Sequence, residues 1–256
     1  MTLRVLITGA TDGIGKVAAA ELIAAGHQVW IHGRDPDKLG AVADELGTPH
    51  AWCCDLSDLV EVKLAHGQLA QTFDVLVNNA GVFKTPQPRT DQGLDARFAV
   101  NTIAPLMLAQ AVIKGMPDNG RIVNLSSAAQ APVDLDALAG RSQLADDFQA
   151  YAQSKLAITQ WTAHLAIHVP QLCVAVNPGS LLATKMVTEG FGVAGSDVRQ
   201  GSDIIVRAAT GDEFLGHSGE YFDNDAGHFA PAHPNTADVA SNARVFAACD
   251  ALAAVN

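Results

Sequence analysis

Two polar side chains four residues apart could together carry out acid–base chemistry. Tyr151 and Lys155 occur in the run YAQSK, inside a predicted helix from about Tyr151 to Ile167, so both would lie on one helix face. A phenol with a pKa of about 10 is a poor proton donor or acceptor at neutral pH, but a neighbouring ammonium lowers that pKa. The spacing suits a tyrosine acid–base group, but a pair of this kind standing alone is more often an ordinary pair on a helix surface.

A serine hydroxyl follows a predicted strand shortly before this pair. The strand covers Arg121–Leu125, and Ser126 and Ser127 come directly after it. A hydroxyl at this position can hold the carbonyl oxygen of a substrate while a tyrosine exchanges a proton with that oxygen. The three residue types could together exchange a proton with a bound carbonyl oxygen.

A glycine-rich turn near the beginning of the chain could bind a pyrophosphate. The run TGATDGIG, residues 8–15, lies between a predicted strand, Arg4–Thr8, and a predicted helix, Ile14–Ala25. Glycines allow a sharp turn and a close approach to a ligand, and a helix N-terminus attracts negative charge. The spacing G-x-x-x-G-x-G favours a dinucleotide site over an ordinary strand-to-helix turn.

The end of the second predicted strand, Gln28–His32, bears on the choice of dinucleotide. An acidic residue there would bind the ribose 2′-hydroxyl of NAD, but this chain has Gly33 and then Arg34. Because a planar guanidinium suits a 2′-phosphate, we expect NADP(H), with NAD(H) the weaker alternative. Arg34 could otherwise be a solvated charge, and Asp35 is expected to cap the next helix.

Two further strand ends carry polar or small residues suited to a nucleotide. Asp55 follows the predicted strand Ala51–Cys54, where its carboxylate could accept from an adenine amino group while Leu56 covers the ring. Asn79, Ala80 and Gly81 follow the predicted strand Val75–Asn78. Small residues there would let a cofactor pass, and the asparagine amides could tie neighbouring strands together.

The elements that position these residues alternate between strands and helices. Short apolar runs separated by helical patterns indicate a parallel sheet covered on both faces, and ligands bind at the carboxyl ends of such strands. We therefore predict one α/β domain over residues 1–256, with a Rossmann-type doubly wound sheet. Two irregular stretches, 128–150 and 179–201, follow strand ends and are expected to border the substrate.

In chain order, the runs TGATDGIG, NNAG, IVNLSS, YAQSK and NPG resemble those of the short-chain dehydrogenase/reductase family. The long interval between Ser127 and Tyr151 and the late run GEYFDND resemble its retinol dehydrogenase and WW-domain oxidoreductase branch. The resemblance implies a nicotinamide cofactor and catalysis by Ser127, Tyr151 and Lys155. It also implies that Asn101, in FAVNT, completes a tetrad by holding a water that links Lys155 to solvent.

The resemblance further implies where the dinucleotide would bind. Thr184 stands one residue later than in the family's PG-x-x-x-T pattern, where the threonine contacts the nicotinamide carboxamide. The expected cofactor contacts are Gly9, Thr11, Asp12, Gly13, Ile14, Gly15, Arg34, Asp55, Leu56, Asn79, Ala80, Gly81, Tyr151, Lys155, Pro178, Gly179 and Thr184. A homodimer or homotetramer is also implied, commonly through the two long central helices.

Composition argues against several other classes of protein. A net charge of −11 disfavours nucleic-acid binding, and an apolar content of 48% with 17% charged residues excludes a disordered chain. Four cysteines without CxxC spacing indicate reduced thiols, and the sequence suggests neither a signal peptide nor a membrane span, so we expect a cytoplasmic protein. His164 and His168 are interpreted as packing residues, and no metal site is expected.

Together these features predict an NADP(H)-dependent oxidoreductase that acts on a small-molecule carbonyl or alcohol, with reduction the expected direction. Two alternatives remain open, namely an NADP-binding sensor or regulator without turnover, and an epimerase or dehydratase of the same fold. The second irregular stretch contains five apolar residues, which suggest a lipophilic substrate: Leu181, Leu182, Met186, Val187 and Phe191. Alternatively, these residues only pack the stretch onto the domain.

Overall fold

An eight-stranded sheet with helices on both faces forms the centre of the fold in this computed structural model, which describes residues 1–65, 67, 69, 72–184, 192 and 195–255. The strands are β1 (Arg4–Ile7), β2 (Gln28–Gly33), β3 (Ala51–Cys53), β4 (Val75–Asn78), β5 (Arg121–Leu125), β6 (Leu172–Asn177), β7 (Tyr221–Asp223) and β8 (His228–Phe229). The helices are α1 (Gly13–Ala24), α2 (Pro36–Leu46), α3 (Leu59–Ala65), α4 (Ala96–Ile113), α5 (Leu135–Leu138), α6 (Asp147–Ala166), α7 (Val198–Thr210) and α8 (Val239–Val255).

The sheet has the order β3-β2-β1-β4-β5-β6-β7-β8. Strands β1 to β7 are parallel, which confirms the predicted doubly wound fold. Strand β8 pairs antiparallel with β7, and its two residues are too few to give a strand pattern in the sequence. The chain order reverses between β1 and β4, and ligands of such sheets bind at this switch point.

Two apolar cores cover the sheet, one on each face. Helices α1, α2 and α7 bury residues against one face, and α3, α4, α6 and α8 enclose the other. The second core includes the fully buried Trp161 of α6, together with Val245 and Cys249 of α8. The catalytic helix predicted from the sequence is therefore buried between the sheet and a further helix.

Helix α8 crosses the outer surface of three other helices, and the sequence patterns did not predict it. The Gln160 side chain of α6 donates to Ser241 Oγ at 2.9 Å, and Gln110 of α4 donates to Asp250 at 2.6 Å. Lys63 of α3 donates to the carbonyl of Ala254 at 3.3 Å. Helix α8 thus lies as an outer layer over α6, α4 and α3.

Several helix bounds differ from the predicted ones because of capping side chains. Helix α6 begins at Asp147, one turn before the predicted start, because the Asp146 carboxylate accepts from the amide of Phe148. Helix α3 begins at Leu59, where Asp58 accepts from two amides of the first turn. The stretch 128–150 contains α5 and the start of α6, and the end of the stretch 179–201 is helical from Val198.

One helix among the described residues, Ala96–Ile113, is long and apolar enough to cross a membrane, but 83% of it is buried inside the fold. It is the core helix α4. The four cysteines are free thiols, and only Cys53 is exposed. Within the described part of the chain, no three His, Cys, Asp or Glu side chains converge to hold a metal ion.

Candidate active site

Strand β5 and helix α6 bring the three predicted catalytic residues together. Ser127 lies two residues beyond the end of β5, and its side chain forms a hydrogen bond with that of Tyr151. The Lys155 ammonium lies 5.7 Å from the centre of the Tyr151 ring, on the same face of α6. Ser126, Thr159 and the Lys155 carbonyl are joined by hydrogen bonds beneath them, so the strand end is fixed to the helix.

Burial controls the acidity of both titrating groups. It raises the pKa of the Tyr151 phenol, and the hydrogen bond with Ser127 opposes this rise. It lowers the pKa of Lys155 to about 8. Lys155 donates to the carbonyl of Leu125 at 2.6 Å and makes no recorded hydrogen bond to the phenol. The sequence predicts that Lys155 lowers the Tyr151 pKa, and this stays a prediction, whereas the Ser127 hydroxyl does lower that pKa in this geometry.

Asn101 lies beside this group, in a π-helical turn of α4 that covers Ala99–Ile103. Its amide group donates to the Val82 carbonyl and to Ser154 Oγ, each at 2.9 Å, and its oxygen accepts from the Val82 amide. Both amide hydrogens are therefore used, and the side chain is buried. Asn101 fixes the loop after β4 to α6, and the water that would link it to Lys155 stays a prediction.

The predicted pyrophosphate turn is a close-packed cradle at the switch point. Gly9 has a φ of +63°, and a Cβ there would lie 2.8 Å from the Cα of Ala80. A Cβ on Gly15 would lie 2.3 Å from the Asn79 amide nitrogen. That nitrogen donates to the carbonyls of Thr8 and Gly9, which ties β4 to β1 as the sequence predicts. The glycines and the N-terminus of α1 fit a pyrophosphate group.

Thr184 lies across the same turn despite its shifted position in the sequence. A Cβ on Gly13, whose φ is +54°, would lie 3.5 Å from Thr184 Cγ2. The loop before Thr184 is held by Asp225, which accepts from the amide and hydroxyl of Ser180. The remaining expected contacts of the turn and strand ends are partly buried at this edge of the sheet: Thr11, Ile14, Ala80, Gly81, Pro178 and Gly179.

Charged residues border the place expected for the adenosine ribose. Arg34 is exposed at the end of β2, next to Gly33, where a Cβ would lie 2.5 Å from Thr11 Cγ2. Asp12 caps α1 by accepting from the Gly13 amide, and it also forms an ion pair with Lys38 at 2.8 Å. The side chain of Arg34 is therefore accessible to an anionic ligand.

His32 of β2 connects the cradle to the end of β3. Its Nδ1 accepts from the Gly9 amide at 3.0 Å, and its Nε2 lies 2.9 Å from the carbonyl of Cys54. The ring is buried, and burial lowers the pKa of His32 to about 4. A neutral imidazole with its proton on Nε2 satisfies both contacts, so His32 orients the first glycine of the turn.

The two residues expected to bind adenine have different surroundings. Asp55 is partly exposed and accepts from the amide and hydroxyl of Ser57, which leaves its second carboxylate oxygen without a recorded hydrogen bond. Leu56 is only 3% exposed and belongs to the core. Because Leu56 is used for packing, its side chain has little surface left to cover an adenine ring, and its contact with adenine stays a prediction.

Aromatic rings that the sequence analysis did not select lie beside the tyrosine. The Phe83 ring lies 5.3 Å from the Tyr151 ring and 6.5 Å from the Phe148 ring, edge to face in both cases. Phe148 is 41% exposed. Phe148 precedes Tyr151 by three residues, so helical spacing could have identified it. In the second irregular stretch, Leu181 is exposed and Leu182 is buried, while Met186, Val187 and Phe191 lie outside the described residues.

Comparisons with known proteins agree with this geometry. A family model described as short chain dehydrogenase matches residues 4–191. Short-chain dehydrogenase chry4 of Gibberella zeae is 30% identical over 98% of this chain and 97% of its own length. Human retinol dehydrogenase 13 is 31% identical over 68% of this chain, and the match spans 56% of that protein.

Solved structures have the same fold. A protein of undescribed function from Mycobacterium paratuberculosis superposes with a TM-score of 0.82 at 28% identity, covering 98% of this chain and 93% of its own. Landomycin C-6 ketoreductase LanV, solved with bound NADP and rabelomycin, superposes with a TM-score of 0.67 at 27% identity, covering 87% of this chain and 94% of its own.

Proposed function

Because this chain belongs to the short-chain dehydrogenase/reductase family and resembles its retinol dehydrogenase branch, we propose that it is an NADP(H)-dependent oxidoreductase. It would interconvert a lipophilic carbonyl compound and the corresponding alcohol, with Tyr151 as the acid–base group. The observation that carries the proposal is the grouping of Ser127, Tyr151 and Lys155 at the end of β5 and on one face of α6, with the glycine cradle at the same edge of the sheet.

The chain's own residues supply the proton chemistry in this proposal, and a bound nicotinamide dinucleotide supplies the hydride. Ser127 donates a hydrogen bond to the carbonyl oxygen of the substrate and holds it beside the phenol. Tyr151 then donates its proton to that oxygen as negative charge develops there. In the opposite direction, Tyr151 as phenolate accepts the proton of the alcohol.

Lys155 stabilises the phenolate that remains after proton donation. Its ammonium is buried 5.7 Å from the phenol ring, and in such surroundings a charge acts more strongly than in water. Its pKa of about 8 keeps most of the lysine protonated at neutral pH, while allowing it to pass a proton onward. Because stabilising the phenolate lowers the pKa of the phenol, Lys155 would make Tyr151 a stronger acid towards the substrate oxygen.

The NADP(H) preference is proposed from Arg34. The end of β2 has no carboxylate for a ribose 2′-hydroxyl, and the exposed guanidinium suits a 2′-phosphate. The structural relative LanV was solved with NADP. A lipophilic or aromatic substrate is proposed from the Phe83 ring, which lies against Tyr151, and the exposed Phe148 ring, which lies against Phe83.

Titration calorimetry with NADPH and NADH, carried out side by side, tests the cofactor assignment. We expect clear preference for NADPH in the natural chain. Arg34→Ala should weaken NADPH binding by about tenfold or more and change NADH binding little, because one charge-assisted phosphate contact is lost. Equal losses for both dinucleotides would contradict the contact between Arg34 and the 2′-phosphate.

The acid–base assignment is tested by Tyr151→Phe in a screen of lipophilic ketones and aldehydes with NADPH. Turnover should fall by about 100-fold or more, while the Kd for NADPH changes by less than about threefold, because only the phenolic hydroxyl is removed. Retained turnover would exclude Tyr151 as the proton donor. Product analysis identifies an epimerase or dehydratase, for which the dinucleotide would be recovered unchanged.

A further inference from the structure

The carbonyl group of Ser127 lies beyond the end of β5, where hydrogen bonds between strands no longer orient it. Strand β5 ends at Leu125, so this carbonyl has no partner in a neighbouring strand. Two side chains replace that partner. The Tyr221 hydroxyl donates to the Ser127 oxygen at 3.1 Å, and the Gln130 amide group donates to it at 3.0 Å. Both lone pairs of this carbonyl are thereby satisfied.

Both donors are themselves fixed. Tyr221 belongs to β7, is 7% exposed and lies 94 positions from Ser127 in the sequence. The Gln130 side-chain oxygen accepts from the amide of His233 at 3.2 Å. Two points of the C-terminal segment therefore determine the orientation of one peptide group next to the candidate active site.

Tyr221 is suited to a permanent donor role. Burial and the nearby carboxylates of Asp223 and Asp225 raise the pKa of its phenol well above the ordinary value. The hydroxyl therefore keeps its proton in the pH range in which Lys155, with a pKa of about 8, changes its protonation. Tyr221 can orient a neighbouring group without taking part in proton exchange.

The direction of the Ser127 side chain follows from the orientation of its peptide group. The Ser127 Oγ atom accepts a hydrogen bond from the amide of Ala129 at 3.1 Å, and it is the atom that interacts with the Tyr151 phenol. We propose that Tyr221 is a positioning residue, which holds the Ser127 carbonyl together with Gln130 and thereby directs Ser127 Oγ towards Tyr151. The catalytic importance of this contact depends on the function proposed above, whereas the contact itself can be tested without substrate or cofactor.

The composition of the chain provides a direct spectroscopic test. The sequence contains two tyrosines, residues 151 and 221, so Tyr221→Phe leaves Tyr151 as the only tyrosine. Tyrosine labelled with ¹³C at Cζ gives one NMR signal per residue, and its chemical shift reports hydrogen bonding of the phenol. Tyr151→Phe assigns the two signals, and Ser127→Ala measures the shift caused by losing the serine hydroxyl.

We expect Tyr221→Phe to move the Tyr151 signal in the same direction as Ser127→Ala does. The double variant should show the Ser127→Ala shift with no further change, because Tyr221 acts through Ser127. Gln130→Met removes the second donor and should produce a shift of the same sign. An unchanged Tyr151 signal in Tyr221→Phe would overturn the proposal, and so would additive shifts in the double variant.

Thr48→Val is a matched control for losing a buried hydroxyl. Thr48 donates to the carbonyl of Val29 at 2.9 Å, and neither residue belongs to the candidate site. The control should lower the thermal midpoint by a similar amount to Tyr221→Phe and leave the Tyr151 signal unchanged. A Tyr151 shift in the control as large as that in Tyr221→Phe would show a general loss of order and contradict the positioning role.

Kinetics provide a second test. If the natural chain reduces a carbonyl compound, Tyr221→Phe should lower kcat by about tenfold with little change in the KM for NADPH, because Ser127 is misdirected in the transition state. In a Ser127→Ala background, the same change should have almost no further effect. An inactive natural chain would refute the proposed function, while the NMR comparison would still decide the role of Tyr221.

Discussion

Acidification should destabilise this fold through one buried ring, His32. Its Nδ1 accepts the Gly9 amide hydrogen at 3.0 Å, and its Nε2 faces the Cys54 carbonyl at 2.9 Å. A second proton would have to bind Nδ1, where it would meet the hydrogen of the Gly9 amide. Protonation therefore breaks the contact that orients the first glycine of the cradle.

The size of the effect follows from the pKa of His32. Burial lowers it from 6.5 to about 4, so the unfolded chain takes up this proton at a higher pH than the folded chain. The stabilisation is complete above pH 6.5 and is lost as the pH falls towards 4. A difference of this size corresponds to roughly 3 kcal/mol in the free energy of unfolding.

Urea denaturation at several pH values, followed by tryptophan fluorescence, measures this dependence. The Trp52 ring lies 4.8 Å from the His32 ring and provides a nearby probe. We compare the slope of the unfolding free energy against pH for the natural chain and for His32→Asn, which cannot titrate. The variant should be less stable at neutral pH, and its slope between pH 4 and 6.5 should be smaller by up to about 1.4 kcal/mol per pH unit.

His27→Asn is the matched control. His27 also accepts a backbone amide hydrogen at Nδ1, from Leu3 at 3.2 Å, and burial also lowers its pKa, but its ring is more exposed. Its replacement should reduce the slope less than that of His32. Equal slopes for the natural chain and His32→Asn would refute the reasoning, because His32 would then titrate alike in the folded and unfolded chains.

Two other substitutions test the packing of the site. Gly15→Ala should displace the Asn79 amide, lower the free energy of unfolding by about 1–3 kcal/mol and weaken dinucleotide binding in calorimetry. The control Gly40→Ala lies in α2 with open space around it and should raise the free energy of unfolding by about 0.5–1 kcal/mol. Equal effects of the two substitutions would contradict the close packing at Gly15. The Arg97 guanidinium is buried and donates to both carboxylate oxygens of Asp95, so Arg97→Met should lower the free energy of unfolding, measured in urea, by about 3–5 kcal/mol. A decrease below about 1 kcal/mol would show that this ion pair contributes little to stability.

The sequence predicts the strands, and the placing of Tyr151 and Lys155 on one helix face, well for a physical reason. Strands β4 and β5 are short apolar runs bounded by polar or small residues, and their bounds agree with the prediction. Tyr151 and Lys155 share a helix face because of helix geometry alone. The prediction therefore succeeds where neighbours in space are also near in sequence.

The parts that the sequence could not predict depend on distant contacts. The bond from Tyr221 to Ser127 requires β6 and β7 to pair in one register, which no local pattern specifies. The commitment of both Asn101 amide hydrogens depends on how the loop after β4 folds back onto α4. Helix α8 is rich in alanine, so its apolar periodicity has little contrast against its surroundings.

The position of α8 changes the surface that a second copy of this chain would meet. The expected homodimer or homotetramer would be formed through the two long central helices, α4 and α6, but α8 already lies over both of them. A two-fold axis through that face would bring α8 against its own copy. Its exposed residues include Arg244, Ala247, Asp250, Ala251 and Ala254, so such an isologous interface would combine small side chains with one cation and one carboxylate from each copy.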